Sequence, residues 1–330
     1  MRAYIVRRLI LILPTLVLVT IIVFSLVRFI PGSVIDLMIN EMAESSGLGS
    51  SLTPEYLKKT LGLDVPVYHQ YGRWLGVVPQ ADGRFEGVFQ GSLGKSLWKS
   101  ESVLEELRNR LPVSLELGLI GIFCGLLVAL PIGIYSAIRQ DTGGDYLGRT
   151  YAILCISLPS FWLGTMVIVY PSIWWNWAPS MQYIPLVQDP LGNLGMFILP
   201  AVILGHLLLG NTMRMTRTMM LEVLRQDYIR TAWAKGLNER VIIFRHALKN
   251  AMIPVVTVVG LLLPITISGS VVLENIFNLP GIGQLLVEAI NQRDYPVISG
   301  INFVLAFFVL FINLIVDVTY GWLDPRVSYK

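Results

Sequence analysis

The sequence predicts an all-α polytopic membrane protein with six transmembrane helices. Of its 330 residues, 54% are hydrophobic and 14% are charged, whereas soluble domains contain roughly 25% charged residues. The mean hydropathy is +0.64. Uncharged runs of about 20 residues, the length that crosses a hydrocarbon core of about 30 Å, recur along the chain. The predicted spans are residues 9–27, 117–138, 151–177, 191–213, 251–273 and 297–316.

The spans divide the chain into three parts. Residues 1–31 hold the N-terminus and the first span. Residues 32–112 form a sizeable extracytoplasmic segment between helices 1 and 2. Residues 113–330 form a five-helix core, which includes a cytoplasmic loop, 213–254, between helices 4 and 5.

Lys and Arg placement sets the predicted orientation. With Met1 inside, the short inner segments contain 15 of the 25 Lys and Arg residues, while the two short outer loops contain only Arg293. Cytoplasmic loops carry such an excess of basic residues, so we predict that both termini are cytoplasmic. The first apolar run is longer than a signal-peptide core, and no small-x-small cleavage site follows it. We therefore expect an uncleaved first span.

The outer segment 32–112 carries short-helix signals. Thr53-Pro54 and Gly62 bound one predicted helix, 68–75 is a second, 81–84 is a turn and 85–89 a candidate strand. Ser102 with Glu105 forms a capping box that opens a surface helix before Pro112. The segment either receives a soluble partner or covers the bundle.

The sequence contains no motif for ATP hydrolysis or for other catalysis. It contains no Gly-x4-Gly-Lys-Ser/Thr loop, metal-ligand spacing or nucleophile elbow, so we assign no catalytic and no metal-binding residues. His206, the only imidazole in a predicted span, is expected to be a hydrogen-bonded packing residue. An ion-coupled secondary carrier would need buried charges or an inverted repeat, and neither is convincing. An intramembrane enzyme would need a motif around Ser157 or Ser160, which is absent.

The loop 213–254 shows paired helix signals. Asp227 is placed to cap a helix over 228–235, Gly236 permits a left-handed turn, and Asn238 caps a second helix over 239–250. In that second helix an apolar stripe is predicted at Val241, Phe244, Leu248 and Ala251. The pattern is typical of a membrane-lying helix with a docking face. An ordinary basic inner loop is the alternative.

The same segment resembles a known signature. Arg230-Thr-Ala-x3-Gly236 followed by Arg245-His-Ala-Leu-x-Asn-Ala-x-Ile-Pro254 resembles the cytoplasmic signature of ABC importer permeases, in its dipeptide/oligopeptide variant. The general pattern has Glu-Ala-Ala at 230–232, so no role of that Glu is carried over. The resemblance covers nearly the whole chain, including residues 28–32, 61–64, 91–94, 110–116, 157–162, 274–283 and 293–296.

The resemblance implies a multi-pass subunit of the cytoplasmic (inner) membrane that is not itself an enzyme. It is similar to the first of two permeases and would pair with a homologous second permease, two cytoplasmic ABC ATPases and an external substrate-binding protein. ATP and Mg²⁺ would bind in the ATPases, with no cofactor on this chain and no nucleic-acid partner. Short peptides or a related solute are the implied substrate. Residues lining the path are not assigned.

By the same resemblance, the first helix of the loop is a coupling helix that inserts into an ATPase groove. The residues expected at this contact are Asp227, Tyr228, Arg230, Thr231, Ala232, Lys235, Gly236 and Leu237. Arg245 and His246 are expected to hold the supporting second helix.

Overall fold

The computed structural model describes residues 2–29, 35–36, 38–39, 55, 58–59, 62–99, 101–180, 182–268 and 270–323. Its α-helices, in chain order, are α1 Arg2–Leu26, α2 Val67–Leu75, α3 Val103–Ile138, α4 Gly143–Ser157, α5 Ser160–Trp175, α6 Pro190–Leu224, α7 Asp227–Ala234, α8 Glu239–Val241, α9 Leu248–Ser268, α10 Ser270–Ile276, α11 Ile282–Gln292 and α12 Tyr295–Leu323. A π-helix, Ile242–Ala247, joins α8 to α9.

Four helices within the described ranges are long and apolar enough to cross a membrane. They are Val103–Ile138, Pro190–Leu224, Glu239–Pro264 and Tyr295–Val316. The pair α4 and α5 passes the same test together, and Ile10–Ser25 is a shorter apolar helix within α1. The prediction of a helical multi-pass protein is confirmed. The count of six spans stays a prediction.

The third predicted span, 151–177, is wrong as a single continuous helix. α4 and α5 meet at an angle of 96°, and the break falls at Leu158 and Pro159. Proline lacks an N–H and disfavours helical geometry in the residue before it. His206 of α6 donates from Nε2 to the Leu158 carbonyl at 2.8 Å, and its Nδ1 contacts the Ile203 carbonyl. Its predicted role as a hydrogen-bonded packing residue is confirmed.

The outer segment departs from prediction in two places. The helix predicted to end before Pro112 instead continues as α3 to Ile138, so Pro112 lies within a continuous helix. The strand predicted at 85–89 is wrong. The chain there forms a 3-10 turn, Val88–Gln90, after Gly87, where a Cβ would come closer than 3.0 Å to the backbone of Gly76.

Other local predictions in this segment are confirmed. α2 covers Val67–Leu75 against a predicted 68–75, and the turn over 81–84 is closed by the Gln80 amide donating to the Arg84 carbonyl at 2.8 Å. Gly62 has a φ of +67°. The helix predicted before it lies largely outside the described residues.

The chain divides into two compact units. The first contains 1–8, 113–280 and 309–330, and the second contains 9–112 and 281–308. The three-part division by spans stays a prediction.

Within the second unit, Asp294 fastens a loop to the start of α12. Its buried carboxylate accepts hydrogen bonds from Ser96 Oγ at 2.5 Å and from the Leu97 amide at 3.1 Å. The Trp98 indole donates to the Gln292 carbonyl at 2.9 Å. Burial raises the pKa of Asp294, and these donors partly oppose that shift. Residues 293–296, which belong to the resemblance, therefore have a structural role in holding this loop against the start of α12.

Within the first unit, α3 and α6 approach through glycines. A Cβ on Gly205 of α6 would come closer than 3.0 Å to the carbonyl oxygen of Gly121, and a Cβ on Gly125 would lie 2.9 Å from the Gly205 carbonyl. Small residues let membrane helices pack backbone against backbone. The two helices are therefore held at a separation that side chains would prevent.

Candidate functional site

Segment 213–254 contains the end of α6, the short helix α7 and a second helical stretch that continues into α9. The prediction that Asp227 is the N-cap is wrong. The helix starts one residue earlier, so Gln226 occupies the cap, without a side-chain hydrogen bond. Asp227 lies in the first turn, where an acidic group complements the helix dipole. Its carboxylate contacts Arg230 Nη1 at 3.3 Å.

The turn after α7 is formed as predicted. Gly236 has a φ of +76°, and its amide donates to the Trp233 carbonyl at 2.9 Å. A Cβ on Gly236 would meet nothing within 4 Å. The backbone conformation, and not a close contact within this chain, therefore accounts for glycine here. Asn238 Oδ1 accepts from the Arg240 amide at 3.2 Å, so the predicted cap is confirmed.

One face of α7 is buried against its neighbours. Ile229 is fully buried and Ala232 is 7% exposed. They pack in one cluster with residues of α3, α6, the π-helix and α9, namely Ala137, Met220, Ile242, Ile243, Ala247 and Ala251. Spacing of three residues puts Ile229 and Ala232 on the same side of the helix. The cluster thus anchors α7 to all four of these helical stretches, and it places Ala232 away from the exposed face.

The other side chains of α7 and its turn are exposed. Those predicted for partner contact are Asp227, Tyr228, Arg230, Thr231, Lys235 and Leu237. Sequence reasoning missed Trp233, which is 48% exposed on this short polar helix. Tyr and Trp are enriched among residues that dominate binding energy at protein interfaces. The available signal was a large aromatic in a short helix that also carries Asp227, Arg230 and Thr231.

The second helical stretch differs from the predicted amphipathic α-helix. Residues Ile242–Ala247 are a π-helix, whose wider turns shift the register. The predicted stripe is therefore partly wrong: Val241 is 38% and Phe244 is 60% exposed. Pro254 lies inside α9 and does not separate it from the preceding stretch.

A direct hydrogen bond links the two helical stretches. Asn250 Nδ2 donates to the Tyr228 hydroxyl at 2.9 Å. Arg245 is exposed and His246 is half-buried, with its carbonyl accepting from Asn250 at 3.1 Å. Their predicted role in holding the second stretch stays a prediction.

A buried ion pair lies beside the anchored face, and sequence reasoning missed it. Arg217 of α6 donates to both carboxylate oxygens of Asp145 on α4, each at 2.7 Å. Asp145 is fully buried. The sequence pattern Thr142-x-x-Asp145 signals a helix start, but it gives no sign of burial or of the distant partner. Within the part of the chain that the structure describes, no group of three His, Cys, Asp or Glu side chains is arranged to hold a metal ion.

Comparison with known proteins relates this chain to membrane components of transport systems. Residues 129–329 match the family model for the binding-protein-dependent transport system inner membrane component, and residues 1–118 match the model for its N-terminal region. A putative peptide transport system permease protein of Brucella suis is 39% identical over 329 residues, covering 100% of both chains. The dipeptide transport system permease protein DppB of Escherichia coli K12 is 36% identical over 353 residues, with 100% coverage of each.

Solved structures agree in fold. An inward-facing structure of the MetNI methionine ABC transporter matches with a TM-score of 0.52 at 15% identity, covering 67% of this chain and 97% of that chain. A crystal structure of an amino acid ABC transporter with histidines matches with a TM-score of 0.52 at 10% identity, covering 66% and 94%. The family models and the two relatives show that the chain belongs to the inner membrane components of binding-protein-dependent transport systems, the permease subunits of ABC importers.

Proposed function

We propose that this permease forms half of a translocation path for short peptides and that two cytoplasmic ABC ATPases drive it. The other half comes from a homologous second permease, and an external binding protein delivers the substrate. ATP and Mg²⁺ bind in the ATPases. The peptide substrate is supported by relatives named as peptide and dipeptide transport permeases at 36–39% identity over the whole chain.

The burial of α7 on one side and its exposure on the other carry the proposal for ATPase coupling. Its inner face is fixed to the membrane helices through Ile229. Its outer face leaves Tyr228, Arg230 and Trp233 exposed. A helix anchored on one side and open on the other suits insertion into a partner's groove, which is one of the general modes of helix recognition. Force applied to the exposed face would reach α6 and α9 through the buried cluster.

The ion-coupled carrier receives less support. Such a carrier needs intramembrane ionisable groups that bind or relay the ion. His206 is committed to backbone carbonyls, since its two ring nitrogens contact the Leu158 and Ile203 carbonyl oxygens. Asp145 is committed to Arg217.

The requirement for ATPases is testable in vesicles. We expect complexes reconstituted with both permeases, both ATPases and the binding protein to take up a labelled dipeptide when ATP is present. Vesicles with the same permeases but no ATPases should show no ATP-dependent uptake. Uptake by this chain alone, driven by a pH or sodium gradient, would contradict the proposal and favour the secondary carrier.

We propose that both termini and segment 213–254 face the cytoplasm and that 32–112 faces outward. The excess of Lys and Arg in the corresponding segments supports this orientation. An impermeant thiol reagent added to intact cells should label Gly83→Cys and leave Asn238→Cys unlabelled until the cells are opened. Labelling of Asn238→Cys from outside would show the reverse topology.

A further inference from the structure

We propose that Asp145 and Arg217 are positioning residues for coupling: they lock the inner ends of α3, α4 and α6 into one rigid piece that moves with α7. The inference rests on the proposed function, since it assumes that ATPases act on α7. It assigns a role in energy transmission to a buried ion pair that joins α4 to α6 and lies outside α7.

The geometry of the pair is directional. Arg217 Nε donates to Asp145 Oδ1, and Arg217 Nη2 donates to Oδ2, both at 2.7 Å. The Arg217 side chain is 16% exposed and that of Asp145 is fully buried. Two parallel bonds between planar groups fix their relative orientation as well as their distance. The pair therefore resists rotation of α4 against α6, which a single contact would permit.

The carboxylate also fastens a third element. Ser136 Oγ, in the last turn of α3, donates to Asp145 Oδ1. The Asp141 amide, in the turn between α3 and α4, donates to Oδ2 at 3.0 Å. Asp145 is thus bonded to the end of one helix, to the following turn and to a distant helix. Each of its two carboxylate oxygens accepts two hydrogen bonds.

The pair lies next to the support of α7. Ala137, adjacent to Ser136, belongs to the buried cluster that holds Ile229 and Ala232, as does Met220 on the same helix as Arg217. Arg217 precedes the end of α6 at Leu224 by seven residues, about 10 Å at 1.5 Å per residue. A displacement of α7 therefore acts first on the helix ends that Asp145 joins.

α4 and α6 are also tied at the far end of α4. His206 Nε2 donates to the carbonyl of Leu158 where α4 ends. Between the two ties the helices pack closely, because a Cβ on Gly210 would lie 2.7 Å from the Ala152 carbonyl. With the ion pair intact, α4 follows α6 as a unit up to the 96° bend. Without it, α6 can move while the inner end of α4 stays behind.

Stability alone is a weak explanation for this arrangement. Desolvating two charges offsets much of their attraction, so buried ion pairs are often no more stabilising than apolar residues of similar volume. The two parallel bonds between Asp145 and Arg217 specify one geometry, which suits a positioning role better than a purely stabilising one. The role predicts a change in coupling efficiency that exceeds any change in folding.

The test compares Asp145→Asn with the wild type in the complete transporter. Asparagine keeps the shape but removes the charge that orients Arg217. We expect the ATPases to co-purify in normal amounts, and ATP hydrolysed per dipeptide taken up to rise by about fivefold or more, the lower end of typical coupling effects. Arg149→Gln removes an exposed charge from the same helix and should leave the ratio unchanged.

Two further variants keep the inference decisive if Asp145→Asn does not accumulate. Arg217→Lys keeps the charge but cannot form the paired bonds, so it should also raise the ratio. Ser136→Ala leaves the ion pair in place and removes only the side-chain bond to α3, so it should raise the ratio by less than Arg217→Lys. An unchanged ratio, or uptake and hydrolysis that fall in parallel, would overturn the inference. A wild-type complex without ATP-dependent uptake would instead contradict the proposed function.

Discussion

Gly205→Ala is expected to lower the unfolding temperature of the permease strongly, although it adds one methyl group. The new Cβ would come closer than 3.0 Å to the carbonyl oxygen of Gly121. The obstacle is backbone, so a rotamer change cannot relieve it. Overpacking of a well-packed core costs about 1–3 kcal/mol and occasionally more, and we expect a cost of about 3 kcal/mol or above. The helices α3 and α6 would have to separate.

Gly195→Ala is the matched control, since it makes the same change in the same helix where a Cβ would meet nothing within 4 Å. Alanine favours a helix over glycine by about 1 kcal/mol, so this variant should be at least as stable as the wild type. Thermal unfolding in detergent, followed by size-exclusion chromatography, compares the two. A Gly205→Ala protein that unfolds at the wild-type temperature would show that the close glycine contact is not required.

Local signals explain which parts of the fold could be predicted. The cap at Asn238, the left-handed Gly236 and the helix at Val67–Leu75 all follow from short-range backbone chemistry. Long uncharged runs likewise identify the membrane-length helices. Ala232 shows the limit of this reasoning: the signature includes it, but only packing reveals that it faces inward.

Features that depend on distant contacts could not be predicted. The π-helix at Ile242–Ala247 changes which residues share a face, and a 3.6-residue period assigns Phe244 to the wrong side. Asp145 and Arg217 are 72 positions apart, so neither residue reveals the other by local spacing. The break at Leu158 and Pro159 follows from local proline chemistry, but its angle of 96° depends on how α4 and α5 pack.

Gly236→Val is expected to uncouple the transporter while the membrane helices stay folded. The left-handed conformation at φ +76° costs an L-residue about 1–2 kcal/mol, a factor of about 5–30 in population, and a β-branched side chain adds to that cost. The turn between α7 and Asn238 should therefore lose its native backbone conformation. A Cβ at this site would meet nothing within 4 Å, so the backbone conformation is the expected cause.

Two variants separate the backbone effect from general damage. Gly236→Asn should retain much of the coupling, because asparagine tolerates the left-handed region. Gly83→Val introduces the same residue at φ +80°, also with nothing within 4 Å of a Cβ, but in the outer segment. It should leave coupling intact.

Substrate-stimulated ATP hydrolysis in the complete reconstituted transporter, measured for Gly236→Val beside the wild type, tests the coupling role of segment 213–254 most directly. With expression and assembly verified, we predict that stimulation by the loaded binding protein falls about fivefold or more in Gly236→Val and stays normal in Gly83→Val. Wild-type stimulation in Gly236→Val would contradict the assignment of this segment as the coupling site.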